Sequence, residues 1–277
     1  MNVSIKKTVI TGILISLSFS CNQRDAYYYY SQGYKYYQEK NYKLAIECYT
    51  KSVDIDDKNA DVYFARALAY DWFGEKELAI ADYTSAIEYD YKWASAYYNR
   101  GMIYLIIFKM YDKAISDFEM AIVIDSLFLK PYFKLAEIYK RQNKDLSTTY
   151  LSKIISIDSL NVEAYSLRGG NFFNQGRYEE SIADFDIAIK LEPDNYYFYS
   201  VRGGSYAFLG NVELAFRDID KGIEINPKNS KLYFFRARLY QNFLNDDEKA
   251  IEDYKKSADL GFEQAKSVLK DYYKIDY

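Results

Sequence analysis

The sequence predicts an all-α protein built from about seven consecutive helix-turn-helix repeats, and three observations lead to that prediction. The first is a tyrosine that recurs about every 34 residues: Tyr29, Tyr63, Tyr97, Tyr132, Tyr165, Tyr199 and Tyr233. The second is a glycine or alanine four residues after each tyrosine: Gly33, Ala67, Gly101, Ala136, Gly169, Gly203 and Ala237. The third is an alanine or serine in a second apolar stripe: Ala45, Ala79, Ala114, Ser147, Ser181, Ala215 and Ala250. Spacings of three and four residues put such side chains on one helix face, so each repeat should be a pair of amphipathic helices.

The repeat at 162–195 shows this arrangement most clearly. Its first helix should carry one stripe of apolar and small residues: Tyr165, Gly169 and Phe172. Gly176 supplies the turn, because glycine readily adopts the left-handed conformation found at many helix ends. The second helix should carry a matching stripe: Ser181, Phe185 and Ala188. Pro193 then ends it, because proline cannot continue a helix.

The repeats follow one another without linkers over residues 26–260, and we place them at 26–59, 60–93, 94–128, 129–161, 162–195, 196–229 and 230–260. The third has one extra residue between Tyr104 and Ala114, and the seventh has a long turn around Asn245 to Glu248. The fourth matches the pattern least well. Residues 261–277 should form a C-terminal capping helix, whose polar face lets the array end in water.

This succession of aromatic, small and proline positions resembles the tetratricopeptide repeat. The resemblance implies a right-handed superhelical solenoid. It also implies a concave groove, lined by the first helices, that holds peptides or partner proteins. Five repeats pair an arginine in the first helix with an aspartate in the second: Arg66/Asp82, Arg100/Asp117, Arg168/Asp184, Arg202/Asp218 and Arg236/Asp253. The repeats that lack one partner lack both, which favours ion pairs within single repeats.

The composition argues against nucleic-acid binding, common catalytic sites and metal sites. The chain of 277 residues has a formal charge of −4, with no basic excess to attract nucleic acid. It has no histidine, which removes Ser-His-Asp and Cys-His catalysis as well as histidine metal sites. No phosphate-binding glycine loop or paired-cysteine site is present. We therefore expect a protein that is not an enzyme and needs no metal or cofactor.

Residues 1–20 have the pattern of a signal peptide. Lys6 and Lys7 precede an apolar run that is too short to span a bilayer. The run ends at Ser20-Cys21, which resembles a bacterial lipoprotein signal, in which the cysteine is lipidated. Ser18 departs from that pattern, because leucine is usual there, and ordinary cleavage or an uncleaved anchor remains the alternative. If Cys21 is lipidated, residues 21–25 form a short tether, and Asn22 favours the outer membrane.

A second face of the first helices lies one residue beyond the packing stripe. We predict that it forms a partner-binding groove in the second to fourth repeats: Phe64, Trp72, Tyr98, Met102, Ile106, Phe133, Lys134, Lys140 and Arg141. In the fifth and sixth repeats the same face presents Ser166, Gly170, Phe173, Ser200, Gly204 and Phe208. Neighbouring repeats could instead bury this face. If it is exposed, it marks an interaction site.

These features predict an exported, membrane-anchored scaffold that binds a protein or peptide partner in its groove. Two alternatives remain: an accessory subunit of an envelope assembly or secretion machine, and a lipoprotein that binds glycans through its exposed tyrosines.

Overall fold

The structure, a computed structural model, describes residues 25–90 and 92–277. Within these ranges fifteen α-helices follow one another and there is no strand. The predicted all-α fold of consecutive helix-turn-helix repeats is therefore confirmed. The predicted signal peptide, residues 1–20, and residues 21–24 of the predicted tether lie outside the described ranges. None of the described helices is both long and apolar enough to cross a bilayer.

The chain divides into two compact units, and the first comprises the described part of Met1–Phe128. It contains three helical hairpins in sequence: α1 (Ala26–Gln38) with α2 (Tyr42–Ile55), α3 (Ala60–Phe73) with α4 (Lys76–Tyr89), and α5 (Ala94–Ile103) with α6 (Tyr111–Ile124). Each first helix packs on its own second helix, and within this unit α2 packs on α3 and α4 packs on α5.

The second unit comprises Leu129–Tyr277. Its four hairpins are α7 (Leu129–Gln142) with α8 (Lys144–Ile157), α9 (Val162–Asn174) with α10 (Tyr178–Leu191), α11 (Tyr196–Phe208) with α12 (Val212–Ile225), and α13 (Ser230–Leu239) with α14 (Asp247–Asp259). A last helix, α15 (Glu263–Asp271), packs on α14. Its buried residues Ala265 and Leu269 belong to a cluster with Ala250 and Tyr254, so α15 covers the apolar end of the seventh repeat.

Asparagine and glycine residues define where the helices of the hairpins begin and where the chain reverses. Asparagine precedes several first helices, and its side-chain oxygen accepts a backbone hydrogen bond from the first turn: Asn59, Asn161, Asn195 and Asn229. Between first and second helix, Gly74, Gly176 and Gly210 adopt φ values of 104°, 76° and 78°. Side chains other than glycine rarely fit that conformation, so these glycines fix the reversal of the chain.

The third and seventh repeats turn differently. Their first helices widen into π-helical turns, Tyr104–Phe108 and Tyr240–Leu244. Each π turn accommodates the one extra residue of its repeat, and a non-glycine residue, Lys109 or Asn245, takes the left-handed conformation that follows it. The long turn predicted around Asn245 to Glu248 is wrong in its position, because α14 already begins at Asp247.

The repeated arginines bind aspartates of their own repeats, as the sequence predicts. Arg202 shows the geometry: its Nε donates to one oxygen of Asp218 at 2.8 Å, and Nη2 donates to the other at 2.7 Å. Desolvation lowers the pKa of the Arg202 guanidinium, but the hydrogen bonds and charges of Asp218 and Asp186 together outweigh it and leave that pKa above its ordinary value.

One contact of these arginines is not apparent from the sequence. The Nη1 of Arg202 also donates to Asp186 of the preceding repeat, at 2.6 Å. The corresponding acceptors elsewhere are Thr50, Thr84, Ser152 and Asp220. Each arginine therefore fixes the angle of its own hairpin and also links that hairpin to its neighbour.

The core of five repeats contains a buried aromatic ring next to the recurring small residue, and Leu151 and Ile219 take the place of that ring in the fourth and sixth repeats. In the fifth repeat Phe185 is completely buried and lies against Gly169. A Cβ atom at Gly169 would lie only 2.9 Å from Cε2 of Phe185, closer than carbon atoms pack. This close approach explains why glycine or alanine recurs at that position.

Candidate functional site

The structure places five of the predicted groove residues in the first unit, and they differ in exposure. Trp72 is 66% exposed, and its ring stacks on Tyr42 of the preceding repeat with 6.3 Å between ring centroids. Ile106 is also exposed, because it lies on the π turn of the third repeat. Met102 is half-buried. Trp72 and Ile106 therefore offer apolar surface to a partner within this unit.

Phe64 and Tyr98 are half-buried against core residues of the first unit. Phe64 stacks on Trp93 with 4.4 Å between centroids. Tyr98 packs between Phe118 and Phe128, at 5.7 and 5.2 Å. Both rings contribute to packing, and only part of each faces outward. Neighbouring elements therefore cover Phe64 and Tyr98, as the alternative prediction expected, whereas Trp72 remains exposed.

The remaining four predicted residues lie in the second unit. Phe133, Lys134 and Lys140 line a pocket of about 320 Å³, and Arg141 is exposed on the same helix. The pocket also holds acidic residues: Glu137, which pairs with Lys134 at 2.9 Å, and Glu163. The predicted basic flank is therefore partly neutralised by carboxylates within the pocket.

A larger cleft, of about 430 Å³, lies in the fifth to seventh repeats of the second unit. Its lining is apolar except for Ser200, Asn242 and Arg238. The full set is Phe173, Ser200, Val201, Gly203, Gly204, Ala207, Phe208, Ile219, Phe235, Arg238, Leu239, Asn242 and Phe243. A cleft of this size with an apolar lining and a few polar groups has the character of a binding site. We call it the unit-two cleft.

One wall of the unit-two cleft is an aromatic cluster. Phe208 is 65% exposed and stacks face to face on Tyr178, with 4.7 Å between centroids and 1° between ring planes. Phe173 packs edge-on against both rings at 5.7 Å. The first unit has the same arrangement at the same sequence spacing, with Tyr37, Tyr42 and Trp72. In each of these two clusters, a ring of the preceding repeat stacks on the exposed ring and holds it in place.

The floor of the unit-two cleft is open because its residues are small. Gly203 occupies the packing position against α12, where an added Cβ would lie 3.1 Å from the Cβ of Asp218. Gly204, the next residue, faces the cleft instead, and an added Cβ there would lie 3.3 Å from the ring of Phe173. The packing signature explains Gly203 but not Gly204. This second glycine was the sequence signal that could have located the cleft.

The opposite wall is built by the seventh repeat and its π turn. Phe235 and Leu239 come from α13, and Asn242 and Phe243 come from the π turn. Phe243 is exposed although it is a large apolar residue. The extra residue of this repeat therefore supplies part of the cleft.

The described residues contain no group of three or more cysteine or acidic side chains placed to hold a metal ion. The one cysteine among them, Cys48, is half-buried, and burial raises the pKa of its thiol.

Family comparison agrees with this geometry. Models of the tetratricopeptide repeat match residues 33–71, 60–92, 94–126, 162–195 and 230–260, which together make up more than half of the chain. The chain belongs to the tetratricopeptide repeat family. Proteins of this family serve generally as scaffolds for protein interactions, and that broad role applies to this chain. No curated protein matches the chain in sequence.

Several solved tetratricopeptide repeat structures resemble the chain. YrrB, described as having an unusual peptide-binding site, is 27% identical, with a TM-score of 0.57 over 66% of this chain and 94% of YrrB. The C-terminal part of a repeat protein from Cytophaga hutchinsonii is 19% identical, with a TM-score of 0.72 over 87% of this chain and 99% of its own. A repeat protein from Parabacteroides merdae is 21% identical, with a TM-score of 0.56 over 88% and 97%. The last two share the fold.

Proposed function

We propose that this protein is a membrane-anchored scaffold that captures an extended or helical segment of a partner protein on the second face of its first helices. Each unit contributes one apolar surface. In the first unit it centres on Trp72 and Ile106, and in the second it is the unit-two cleft. Phe133, Lys134, Lys140 and Arg141 of the fourth repeat add a separate, charged surface in the second unit.

The observation that carries the proposal is the unit-two cleft, with the exposed ring of Phe208 in its wall. Exposed aromatic residues held rigidly by neighbours lose little conformational entropy on binding and are frequent anchors of protein interfaces. The apolar lining spans three successive first helices, so it suits a segment with several side chains rather than a single small molecule. The likeness to YrrB, a peptide-binding repeat protein, supports the same class of partner.

A selection from a displayed library of random peptides would test the capture of segments. The full chain, held in lipid nanodiscs, should enrich peptides that contain large apolar side chains, whereas empty nanodiscs should not. Binding of each peptide to the Phe208→Ala and Trp72→Ala variants then shows which unit it uses, because Phe208 lies in the second unit and Trp72 in the first. If wild-type protein enriches no peptide over empty nanodiscs, segment capture is not the function.

The second part of the proposal is the anchor. Cys21 lies outside the described residues, and the case for its lipidation rests on its sequence context. Several acyl chains, at ~0.8 kcal/mol for each buried methylene, would hold the protein at a membrane permanently. We place the protein in the cell envelope, at the outer membrane. There it could also act as an accessory subunit of an assembly or secretion machine.

Cys21→Ala should release the protein from the membrane fraction or leave an uncleaved precursor. Cys48→Ala is the matched control, because Cys48 is the only other cysteine of the chain, and it should sediment and be processed like wild type. Membrane fractionation and mass spectrometry of the N-terminal peptide measure both effects. Identical processing and sedimentation of the Cys21→Ala and wild-type proteins would contradict the lipid anchor.

Glycan binding is a second candidate, favoured by the exposed ring of Phe208, which lies parallel to the half-buried ring of Tyr178. The flat face of an aromatic ring can pack against a sugar ring. A glycan array probed with the same nanodiscs distinguishes the two functions. Binding to glycans without enrichment of peptides would favour the glycan-binding alternative.

A further inference from the structure

We propose that the unit-two cleft selects a partner segment in which a large apolar side chain lies within a few residues of a carboxylate, and that the carboxylate pairs with Arg238. This inference rests on the proposed function, because it specifies the chemistry of the segment that the cleft captures. In this proposal, side chains of α13 and of the π turn of the seventh repeat determine which segment the cleft binds.

The first step is the unusual position of Arg238. Five arginines of the first helices, such as Arg236, each make two hydrogen bonds to an aspartate of their own repeat. Arg238 lies two residues beyond Arg236, is exposed, and makes no hydrogen bond or ion pair with any described residue. Its guanidinium group is therefore available to an external acceptor.

The second step is the absence of competing carboxylates. Arg238 is the only charged residue among the described residues that line the unit-two cleft. The nearby aspartates Asp220 and Asp253 both bind Arg236. The pocket in the fourth repeat differs, since it combines lysines with Glu137 and Glu163 and so has no clear preference for one sign of charge. Of these two pockets of the described residues, the unit-two cleft is the one that combines an apolar interior with a single unpaired cation.

The third step is charge complementarity. An arginine at the edge of an apolar cleft is partly desolvated when a partner binds, and a guanidinium group binds a carboxylate through two parallel hydrogen bonds. A segment with a lysine or arginine at that point would leave two like charges together. The net charge of the chain is negative, so an acidic segment would be repelled by much of the surface and attracted at this point. The arginine thus selects for both the sign of the charge and its position.

The apolar part of the segment is specified by the two walls. Phe173 and Phe208 on one side and Phe235 and Phe243 on the other leave room for a large aliphatic or aromatic side chain above Gly204. Asn242, on the π turn, adds an amide that can hydrogen-bond the backbone of the segment. Because Asn242 and Phe243 both lie on the π turn, the extra residue of the seventh repeat shapes the cleft for this partner.

The test uses the peptides that the displayed library yields with the full chain in nanodiscs. The peptides of the unit-two cleft are those whose binding Phe208→Ala removes. We expect these peptides to share an aspartate or glutamate near a large apolar residue. One such peptide is then synthesised with its acidic residue and with lysine in its place, and both are measured by fluorescence polarisation.

Arg238→Glu should weaken binding of the acidic peptide at least tenfold and strengthen binding of the lysine peptide. Arg238→Gln, which removes the charge and keeps much of the side chain, should weaken binding of the acidic peptide without improving the lysine peptide. Arg217→Glu is the matched control, because Arg217 is an exposed arginine on α12 outside the cleft, and it should change neither affinity more than twofold. Circular dichroism confirms that each variant is folded.

The outcomes separate the two proposals. If peptides are enriched but carry no shared acidic residue, or bind Arg238→Glu as well as wild type, the role of Arg238 is wrong while segment capture stands. The same holds if no enriched peptide depends on Phe208, because the cleft is then not the site used. If no peptide is enriched, the proposed function itself fails, and this inference fails with it.

Discussion

Phe185→Ala should destabilise the second unit by about 3–5 kcal/mol, because it removes a completely buried ring from the centre of the fifth repeat. Gly169 lies directly against this ring, and α11 covers it through Phe198 and Tyr197, with 6.0 and 6.2 Å between ring centroids. Two neighbouring repeats therefore lose contacts at once. Helices held by several flanking groups cannot collapse into the space, so most of the cavity should remain.

Ile187→Ala, on the same helix, is the control. Ile187 is 37% exposed, so its truncation should cost roughly 1 kcal/mol or less. Urea unfolding of the full chain in mild detergent, followed by circular dichroism at the helical band, measures both variants. A cost for Phe185→Ala no greater than that for Ile187→Ala would show that this ring does not support the core.

Tryptophan fluorescence follows the unfolding of the first unit separately. The chain has two tryptophans, Trp72 and Trp93, and both belong to the first unit. The stability of repeat arrays is close to a sum of terms from repeats and their nearest neighbours. The fluorescence transition should therefore shift less than the circular dichroism transition in Phe185→Ala.

Most of the fold could be predicted because repetition multiplies a weak local signal. A single tyrosine with a small residue four positions later says little, but a tyrosine with glycine or alanine at that spacing in seven places fixes the register of every hairpin. The pairing of Arg202 with Asp218 could be predicted for the same reason, since both residues recur or disappear together. The contact of Arg202 with Asp186 could not, because its acceptor varies between threonine, serine and aspartate and shows no pattern.

The binding surface was harder to predict, because exposure depends on what neighbouring repeats place beside each residue. Phe64 and Trp72 have the same apolar character and lie on one helix. The ring of Trp93, from the turn before α5, covers Phe64, whereas nothing comparable covers the outer face of Trp72. The π turn was also missed, since an extra residue can lengthen a loop or widen a helix. Its position decides whether Phe243 reaches the cleft.

Phe208→Ala and Trp72→Ala should each remove a different group of the selected peptides, with affinity losses of at least tenfold. A buried aromatic anchor commonly contributes about 2 kcal/mol or more to binding, and each ring is the most exposed member of its aromatic cluster. Because the clusters lie in different units, peptides lost with Phe208→Ala should still bind Trp72→Ala, and peptides lost with Trp72→Ala should still bind Phe208→Ala.

Both variants should keep a melting temperature close to that of wild type, whereas Tyr70→Ala, at a packing position of α3, should lower it. Fluorescence polarisation and thermal unfolding measure these effects. A drop in melting temperature for Trp72→Ala as large as that for Tyr70→Ala would assign Trp72 to the core and remove it from the binding surface.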